Sequence, residues 1–286
     1  MAVVIGIVIV LVTIFGGFAL GGGHLAALFQ PYELLMIGGG AVGAFVVGND
    51  AKARAATLAA LPTIFQSTRH TEAMYMGLIS LLHDILTKVR KEGLMALEPD
   101  IDAPDASPLF LKYPAILAEH HVVEFLADYL RLIISGNMDP FQIENLMDNE
   151  IEVHHQDGEI PVHAIHKIAD GLPAFGIIAA VMGVVHTMAS VGRPPAELGN
   201  LIAAALVGTF LGILLAYGVF SPIANLLERK LQESAKVYQC IKVTLIASLN
   251  GYAPMLAVEF GRKVISASER PSFAQMESHF RQAKKK

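Results

Sequence analysis

Long uncharged stretches are the feature that most limits how this sequence can fold. Residues 1–32, 34–49, 171–192 and 198–227 contain no Asp, Glu, Lys or Arg, although 16% of the 286 residues are charged. A helix crosses a bilayer with roughly 20 apolar residues, whereas a soluble domain spreads about 25% charge along its length. The pattern therefore predicts an all-α integral membrane protein with four transmembrane helices and a large helical cytoplasmic domain.

The first two stretches admit other interpretations. A signal peptide would place a basic segment before a shorter apolar core and a small-residue cleavage site after it, and Ala2–Leu20 has neither. The run 34–49 is short and rich in glycine, so a buried core helix also fits it. Because the two runs lie close together, we favour a helical hairpin whose outer loop contains Glu33.

Basic residues indicate the orientation. Segment 50–170 holds nine Lys and Arg and the tail after residue 222 holds eleven, so Arg193 is the one remaining of the 21. By the positive-inside rule these two segments are cytoplasmic, and both termini are inside. The predicted organisation is a transmembrane hairpin over 1–49, a cytoplasmic helical domain over 50–170, transmembrane helices 3 and 4 over 171–222, and a cytoplasmic helix and tail over 223–286.

Helical periodicity dominates the predicted cytoplasmic parts. Apolar residues recur at helical spacing in four segments. The segments are 74–91, 113–135, 140–169 and 226–249. Gly93 stands where a left-handed cap would end the first of them, and Glu98–Pro108 is an acidic break rich in turn residues. Gly136 follows the second segment as a second stop.

Several classes of chemistry are disfavoured. The single cysteine, Cys240, permits no intrachain disulfide or thiolate cluster. A net charge of -5 argues against nucleic acid as a partner. The basic end at 281–286 fits a solvated terminus, or more weakly a contact with anionic membrane lipid. Common nucleotide-binding and hydrolase motifs are missing, so we predict no enzyme activity and no cofactor.

Histidine clusters raise the question of a metal site. Glu152 and His155 form one half of a di-iron helix motif, but that site needs a second such pair and two further carboxylates. Polar helix faces explain the clusters more simply, and we predict no metal. The clusters are His120-His121, His154-His155 and His163 with His166.

Small residues mark one face of each of the last two spans. No Asp, Glu, Lys or Arg lies in the hydrophobic centre of a predicted span, although ion translocation usually needs such a group. Any ion-carrying carboxylate would then come from another chain. Small faces permit close helix contact, either with a partner helix or among the chain's own spans. They comprise Gly176, Ala180 and Gly183, and Ala205, Gly208, Thr209, Gly212 and Ala216.

Two prolines lie at the inner ends of these spans. Pro173 follows Asp170 and Gly171, so it is expected near the start of a helix, where proline is ordinary. Pro222 lies within a continuing helical pattern and is expected to kink it. A pair of kinks at one membrane face could act as hinges.

Short motifs along the chain resemble the A subunit of the flagellar motor stator, the MotA/PomA family of the MotA/TolQ/ExbB superfamily. The resemblance covers essentially the whole chain and includes the layout of four spans with a long loop between the second and third. The motifs are 205–214 (ALVGTFLGIL), followed after seven further residues by Pro222, 172–176 (LPAFG), 250–254 (NGYAP), 258–262 (VEFGR) and 269–273 (ERPSF).

This resemblance implies a torque generator of the bacterial inner membrane that is driven by protons or sodium ions. It implies five A subunits around two copies of a B subunit, which supplies the ion-binding aspartate and a peptidoglycan anchor. It also implies contact with the switch-complex protein of the rotor. By the same resemblance, Arg90 and Glu98 match rotor-interaction residues, Pro173 and Pro222 match conformational hinges, and Ala180 and Thr209 match the ion path or partner-helix face. Sodium-type relatives usually carry threonine at Ala180, so alanine there implies proton coupling.

Two other functions stay open at this level. An ExbB- or TolQ-like energiser of outer-membrane processes would usually have three spans and an outer N-terminus. A secondary transporter would need binding groups and helix interruptions at mid-membrane, and the sequence offers only the glycines at 38–40 there.

Overall fold

The structure is a computed structural model that describes residues 2–66, 69–189, 192 and 194–283. These residues form α-helices joined by turns and short 3-10 segments, with no strand among them, which confirms the predicted all-α class. Arg193, the basic residue of the predicted outer loop, lies outside the described residues. The helices are α1 (Ala2–Leu20), α2 (Pro31–Gly48), α3 (Ala51–Ala60), α4 (Glu72–Glu92), α5 (Glu98–Asp102), α6 (Pro114–Leu117), α7 (His120–Ser135), α8 (Pro140–Met188), α9 (Pro195–Leu215), α10 (Ser221–Leu249), α11 (Pro254–Val264) and α12 (Phe273–Ala283).

Two compact units divide the chain. The membrane unit comprises residues 1–67 and 158–229, and the polar unit comprises residues 68–157 and 230–286. In the part of the chain that the structure describes, four helical segments are long and apolar enough to cross a bilayer, in agreement with the predicted number of spans. The first of them, α1, has the predicted bounds.

The second span is longer than its uncharged run indicated. A 3-10 turn covers Leu25–Leu28, and α2 then begins at Pro31, whose fixed φ suits the first position of a helix. The prediction that Glu33 lies in the loop between the first two spans is therefore wrong. Glu33 belongs to the first turn of α2 and is only 7% exposed.

The third span is part of one long helix. α8 runs without interruption from Pro140 to Met188, with Pro161 and Pro173 inside it. The expectation that Pro173 lies near a helix start is wrong, because the preceding helical segment continues directly into the span. A proline inside a helix removes one backbone hydrogen bond and crowds the preceding turn, so Pro173 remains a candidate for a bend.

An irregular turn interrupts the fourth span. The segment Ala216–Phe220 forms a π-helical turn between α9 and α10, and Pro222 follows it in the first turn of α10. Wide turns of this kind bend helices and are frequent at functional positions. The regular α-helical pattern therefore breaks directly before Pro222, where the sequence predicts a kink.

Apolar side chains of α2, α8, α9 and the π-helical turn form one core cluster of the membrane unit. Phe15 of α1 packs edge-on against Phe210, with ring centroids 6.0 Å apart. On the outward face of α8, Ile177, Val181 and Val185 are each more than half exposed. Such a face needs lipid or another chain to cover it. The core residues are Ile37, Ala41, Leu172, Ala179, Val207, Leu211 and Ala216.

The polar unit has its own core, formed mainly by α4, α7, α11 and the residues of α10 beyond 230. The helix predicted over 74–91 is confirmed as α4. Gly93 ends it with φ 89° and ψ 166°, a conformation that suits glycine but lies outside the left-handed helical region, so the predicted left-handed cap is wrong. The predicted break at 98–108 contains one helical turn, α5.

The helix predicted over 113–135 is divided in two. A single turn, α6, ends at Leu117, and α7 begins at His120. Gly136, with φ 67° and ψ 8°, is a left-handed residue that ends α7 as predicted. The tail helix predicted over 226–249 is confirmed as part of α10.

Candidate functional site

A glycine seam joins α8 to α9 in the membrane unit. A methyl group placed on Gly176 would come within 2.7 Å of the carbonyl oxygen of Gly208 and 3.2 Å of the Cα of Gly212. One placed on Gly212 would come within 2.7 Å of the carbonyl oxygen of Leu172. Real Cβ atoms essentially never lie 2.7 Å from a backbone oxygen, so the two helices approach here through backbone atoms.

This contact explains why small residues occur on these faces of α8 and α9. Packing among the chain's own spans, one of the two interpretations open from the sequence, accounts for Gly176, Gly208 and Gly212. Ala180 and Thr209 lie beside the seam and are half-buried. The Cα of Thr209 would lie 3.3 Å from a methyl group on Gly176, so Thr209 borders the closest approach of the helices. Both residues keep an open side, which a partner helix could reach.

Glu33 is the residue of the membrane unit that the sequence interpretation missed. Its carboxyl lies against α8 and α9: a methyl group on Gly208 would be 2.7 Å from Oε2, and one on Gly183 would be 3.6 Å from Oε1. Oε2 is buried and has no hydrogen-bond partner among the described residues. The signal that could have found it is Pro31, since a helix starting at that proline places Glu33 inside the span.

The predicted hinge residues lie in the same two helices as the seam. Pro173 is half-buried and directly follows Leu172, whose carbonyl oxygen contacts Gly212. Pro222 is exposed and follows the π-helical turn that ends α9. Each helix of the seam therefore carries a proline or an irregular turn that can bend.

Arg90 and Glu98 are exposed in the polar unit. Arg90 lies in the last turn of α4, and Glu98 is the first residue of α5. Among the described residues, neither forms an ion pair or a side-chain hydrogen bond within the chain. Both charges are therefore available to another protein.

A buried network fixes the position of α5 and hence of Glu98. Lys88 of α4 donates from Nζ to Asp100 Oδ2 at 2.5 Å, and Ser107 donates from Oγ to Asp100 Oδ1 at 2.6 Å. Asp100 is only 6% exposed. From α7, Arg131 donates to the carbonyl oxygen of Ile101 at 2.9 Å. These bonds hold the short helix that carries Glu98 beside the end of α4.

Removing part of this network should loosen the polar unit. We expect Ser107→Ala to lower its free energy of unfolding by about 1–3 kcal/mol, because one oxygen of buried Asp100 loses its donor. Cys240, the sole cysteine, is fully buried in the same unit and provides a reporter. Labelling of its thiol by a maleimide should be about tenfold faster in the variant. Ser135→Ala, which removes an exposed hydroxyl at the end of α7, should label like the parent chain.

An ion pair in α11 makes a pH-dependent contribution to stability. Arg262 donates from Nε and from a terminal nitrogen to the two carboxylate oxygens of Glu259, each at 2.7 Å, and also donates to the carbonyl oxygen of Pro271. These hydrogen bonds lower the pKa of Glu259 below its ordinary value by more than partial burial raises it. The stabilisation is complete above the ordinary carboxyl pKa of about 4.3 and is lost as the pH falls through the lowered pKa of the folded state.

We therefore expect Glu259→Gln to unfold at a lower temperature than the parent chain at pH 7, and the difference to shrink as the pH falls below about 4. Circular dichroism of the detergent-solubilised protein measures both midpoints. Glu277→Gln is the matched control, because Glu277 pairs with Arg281 on an exposed surface where such pairs contribute little. A difference that is constant with pH would contradict the assignment.

The histidine clusters do not assemble a metal centre. Within residues 2–66, 69–189, 192 and 194–283, no group of three His, Cys, Asp or Glu side chains is placed to hold a metal ion. His121 and His154 instead line a cavity of about 290 Å³ in the polar unit, together with Glu124, Asp128 and Glu150. His154 packs against the ring of Tyr238, with centroids 4.7 Å apart.

Comparison with known proteins adds a family context to this geometry. Residues 4–93 match the family described as Motility protein A N-terminal, and residues 118–240 match the MotA/TolQ/ExbB proton channel family. Motility protein A of Salmonella typhimurium is 54% identical to this chain over 281 residues, which cover 98% of this chain and 95% of that protein.

Two solved structures have the same fold. The flagellar MotAB stator complex from Bacillus subtilis includes a chain with a TM-score of 0.71 and 26% identity, covering 90% of this chain and 92% of that one. The C. jejuni MotAB structure includes a chain with a TM-score of 0.78 and 19% identity, covering 95% and 98%. At 19% identity the second likeness concerns the fold alone.

Proposed function

Because the chain belongs to the Motility protein A family, within the MotA/TolQ/ExbB proton channel family, we propose that it is the A subunit of a flagellar stator complex. In this role it couples ion flow through the membrane to torque on the rotor. The observation that carries the proposal is the 54% identity to a named Motility protein A over nearly the full length of both chains. The solved neighbour at 26% identity is part of a flagellar MotAB stator complex, which supports a B-type partner and an oligomeric assembly.

The partner supplies the ion-carrying carboxylate in this proposal. Among the described residues of the α8 and α9 spans, the central part contains no Asp, Glu, Lys or Arg, and a travelling ion needs a binding group there. An aspartate on a B-subunit helix would lie against α8 and α9, with Ala180 and Thr209 on the contact face. Alanine at position 180 favours the proton as the coupling ion.

The conformational change caused by protonation of the partner's aspartate is then transmitted along α8 and α9, the two helices of the glycine seam. Gly176, Gly208 and Gly212 bring α8 and α9 into backbone contact, so the two helices respond as a pair when the partner's aspartate gains or loses a proton. Pro173 and the π-helical turn before Pro222 are the places where that pair can bend. We assign these two prolines as the hinges that transmit the change toward the inner side.

The rotor contact is assigned to Arg90 and Glu98. Both are exposed and lack a partner within the described chain, and the network around Asp100 holds their helices together. Exposed ion pairs contribute only about 0–1 kcal/mol each. Such weak contacts suit a switch-complex protein that must be engaged and released repeatedly, and opposite charges can steer each encounter.

The proposed setting is the bacterial inner membrane, with both termini in the cytoplasm and five copies of this chain around two B subunits. The apolar outer face of α8, which nothing in the single chain covers, fits contact with lipid or neighbouring copies. The distribution of Lys and Arg supports the orientation. A reporter fused at residue 26 should read as external.

An ExbB- or TolQ-like energiser is the alternative within the same channel family. The match to Motility protein A N-terminal over residues 4–93 covers α1 and α2 and favours the flagellar role. A cytoplasmic signal from the fusion at residue 26 would favour the alternative. A secondary transporter is not supported by any binding group at mid-membrane among the described residues.

Complementation tests the proposal directly. Expression of this chain together with its B-type partner should restore swimming to a bacterium that lacks its own stator genes. Swimming speed should fall with a protonophore and stay constant when sodium is replaced by potassium. Failure to restore swimming despite membrane insertion of both chains would refute the flagellar role, and dependence on sodium would refute proton coupling. Proton leak through this chain alone in vesicles would refute the assignment of the carrier to the partner.

A further inference from the structure

Glu33 occupies a membrane position that the proposed mechanism does not use. Its carboxyl is inserted from α2 between α8 and α9, where glycines leave room for it. Oε2 would lie 2.7 Å from a methyl group on Gly208, and Oε1 would lie 3.6 Å from one on Gly183. The residue is 7% exposed, and Oε2 has no hydrogen-bond partner among the described residues.

The position of this carboxyl in the membrane can be inferred from the helices that it contacts. Gly183 lies five residues before the end of α8 at Met188, which corresponds to about 8 Å along the helix axis. The hydrocarbon core is about 30 Å thick, so the carboxyl lies inside the apolar layer and near one edge of it. Gly208 also belongs to the glycine seam, since its carbonyl oxygen contacts Gly176, so the carboxyl lies beside the contact between α8 and α9.

No charge of the surrounding helices compensates Glu33. Its carboxyl oxygens lie close to Gly208 of α9 and Gly183 of α8, and the nearest side-chain neighbours of these two glycines include the alanines Ala179 and Ala205. The titratable residues nearest to it along the described parts of these helices are exposed: His186 on α8, Glu197 at the start of α9, and Tyr32 on α2 itself. A buried carboxylate without a cation or hydrogen-bond donor is costly in an apolar layer, so the neutral, protonated form is favoured.

We propose that Glu33 is a proton-binding site in the outer part of the ion path. It takes a proton from water on the outer side and becomes a neutral acid. It then releases that proton to the carboxylate of the partner subunit, directly or through water, and returns to the charged form. The O–H bond at Glu33 breaks as the new O–H bond forms on the partner's carboxylate, so charge and protons balance. The inference rests on the proposed function for the identity of the acceptor.

Infrared spectroscopy of the purified chain tests the site without the partner or motor activity. A protonated carboxyl at neutral pH should give a C=O band that shifts in heavy water because its proton exchanges. Glu33→Gln should remove that band. Glu197→Gln, which removes an acidic group from the exposed start of α9, should retain it. A missing band, or one that Glu33→Gln leaves intact, would overturn the proposal.

Proton flux through the complex tests the role. Glu33→Gln keeps the shape of the side chain but cannot bind a proton, so we expect flux with the B-type partner to fall about a hundredfold. Glu33→Asp should retain part of the flux with a changed dependence on external pH, and Glu197→Gln should match the parent chain. Flux and pH dependence unchanged by Glu33→Gln, at equal membrane levels, would leave a structural role only and overturn the proposal. Absence of flux in the parent complex would refute the proposed function instead, and the infrared result would then still decide whether Glu33 binds a proton.

Discussion

Replacement of Gly176 by alanine is expected to abolish swimming. The added methyl group would lie 2.7 Å from the carbonyl oxygen of Gly208 and within 3.3 Å of two backbone Cα atoms of α9. No side-chain rotation can relieve a clash with backbone, so the two helices must separate. Overpacking of a protein core typically costs about 1–3 kcal/mol, and here the separation also changes the face that meets the partner helix.

Swimming halos and rotation speeds of tethered cells measure this effect, with the membrane level of the protein determined in parallel. Gly43→Ala is the matched control, because Gly43 also lies in a spanning helix but has no atom within 4 Å of an added methyl group. Gly212→Ala should repeat the loss, since its methyl group would meet the carbonyl oxygen of Leu172. If Gly176→Ala and Gly43→Ala swim equally well, the seam is not a fixed contact.

The number of spans could be predicted from sequence because the bilayer excludes charge over a known length. That rule is local and strong, and α1 has the predicted bounds as a result. The ends of the other spans are less well determined. The prediction for Pro173 used the preceding Asp170 and Gly171 as signals of a helix start, but in α8 the helical pattern on both sides of them overrides such short-range preferences.

Glu33 shows a different limit of sequence interpretation. A charged residue usually marks the end of a span, so the second span seemed to begin after it. The structure places the carboxyl inside because Gly183 and Gly208, on two other helices, leave a space that fits it. Such complementarity joins residues about 150 to 175 positions apart, and no periodicity along the chain reveals it.

At the candidate rotor site, too, only part of the structure could be predicted from the sequence. Arg90 and Glu98 could be assigned by resemblance to the family, but the hydrogen bonds that hold α5 beside α4 could not be predicted. Asp100 and Ser107 lie in a segment predicted only as an acidic turn, and the bonds that bury them depend on how that turn folds. The partner and the number of subunits concern other chains, so one sequence carries them only through family resemblance.

Reversal of both charges at Arg90 and Glu98 is expected to stop swimming while leaving the protein in the membrane. Arg90→Glu with Glu98→Lys preserves net charge and removes no internal contact, because neither side chain has a partner within the described chain. The polar unit should therefore stay folded, with Cys240 as slow to label as in the parent chain. Only the pattern of charge offered to the rotor changes, and like charges placed opposite each other oppose association.

The control reverses the adjacent exposed pair, Lys91→Glu with Glu92→Lys, at the same end of α4. It has the same zero change in net charge, so a general effect of surface electrostatics would appear in both variants. We expect the Arg90 and Glu98 variant to lose swimming and the control to keep most of it. Charge reversals in the switch-complex protein that restore swimming only to the first variant would identify the contacting residues on the rotor. Equal swimming by the two variants would contradict the assignment. If Arg90 and Glu98 contact the rotor, reversing their charges should matter more than reversing two neighbouring exposed charges, because contacts between exposed charges are weak and short-range.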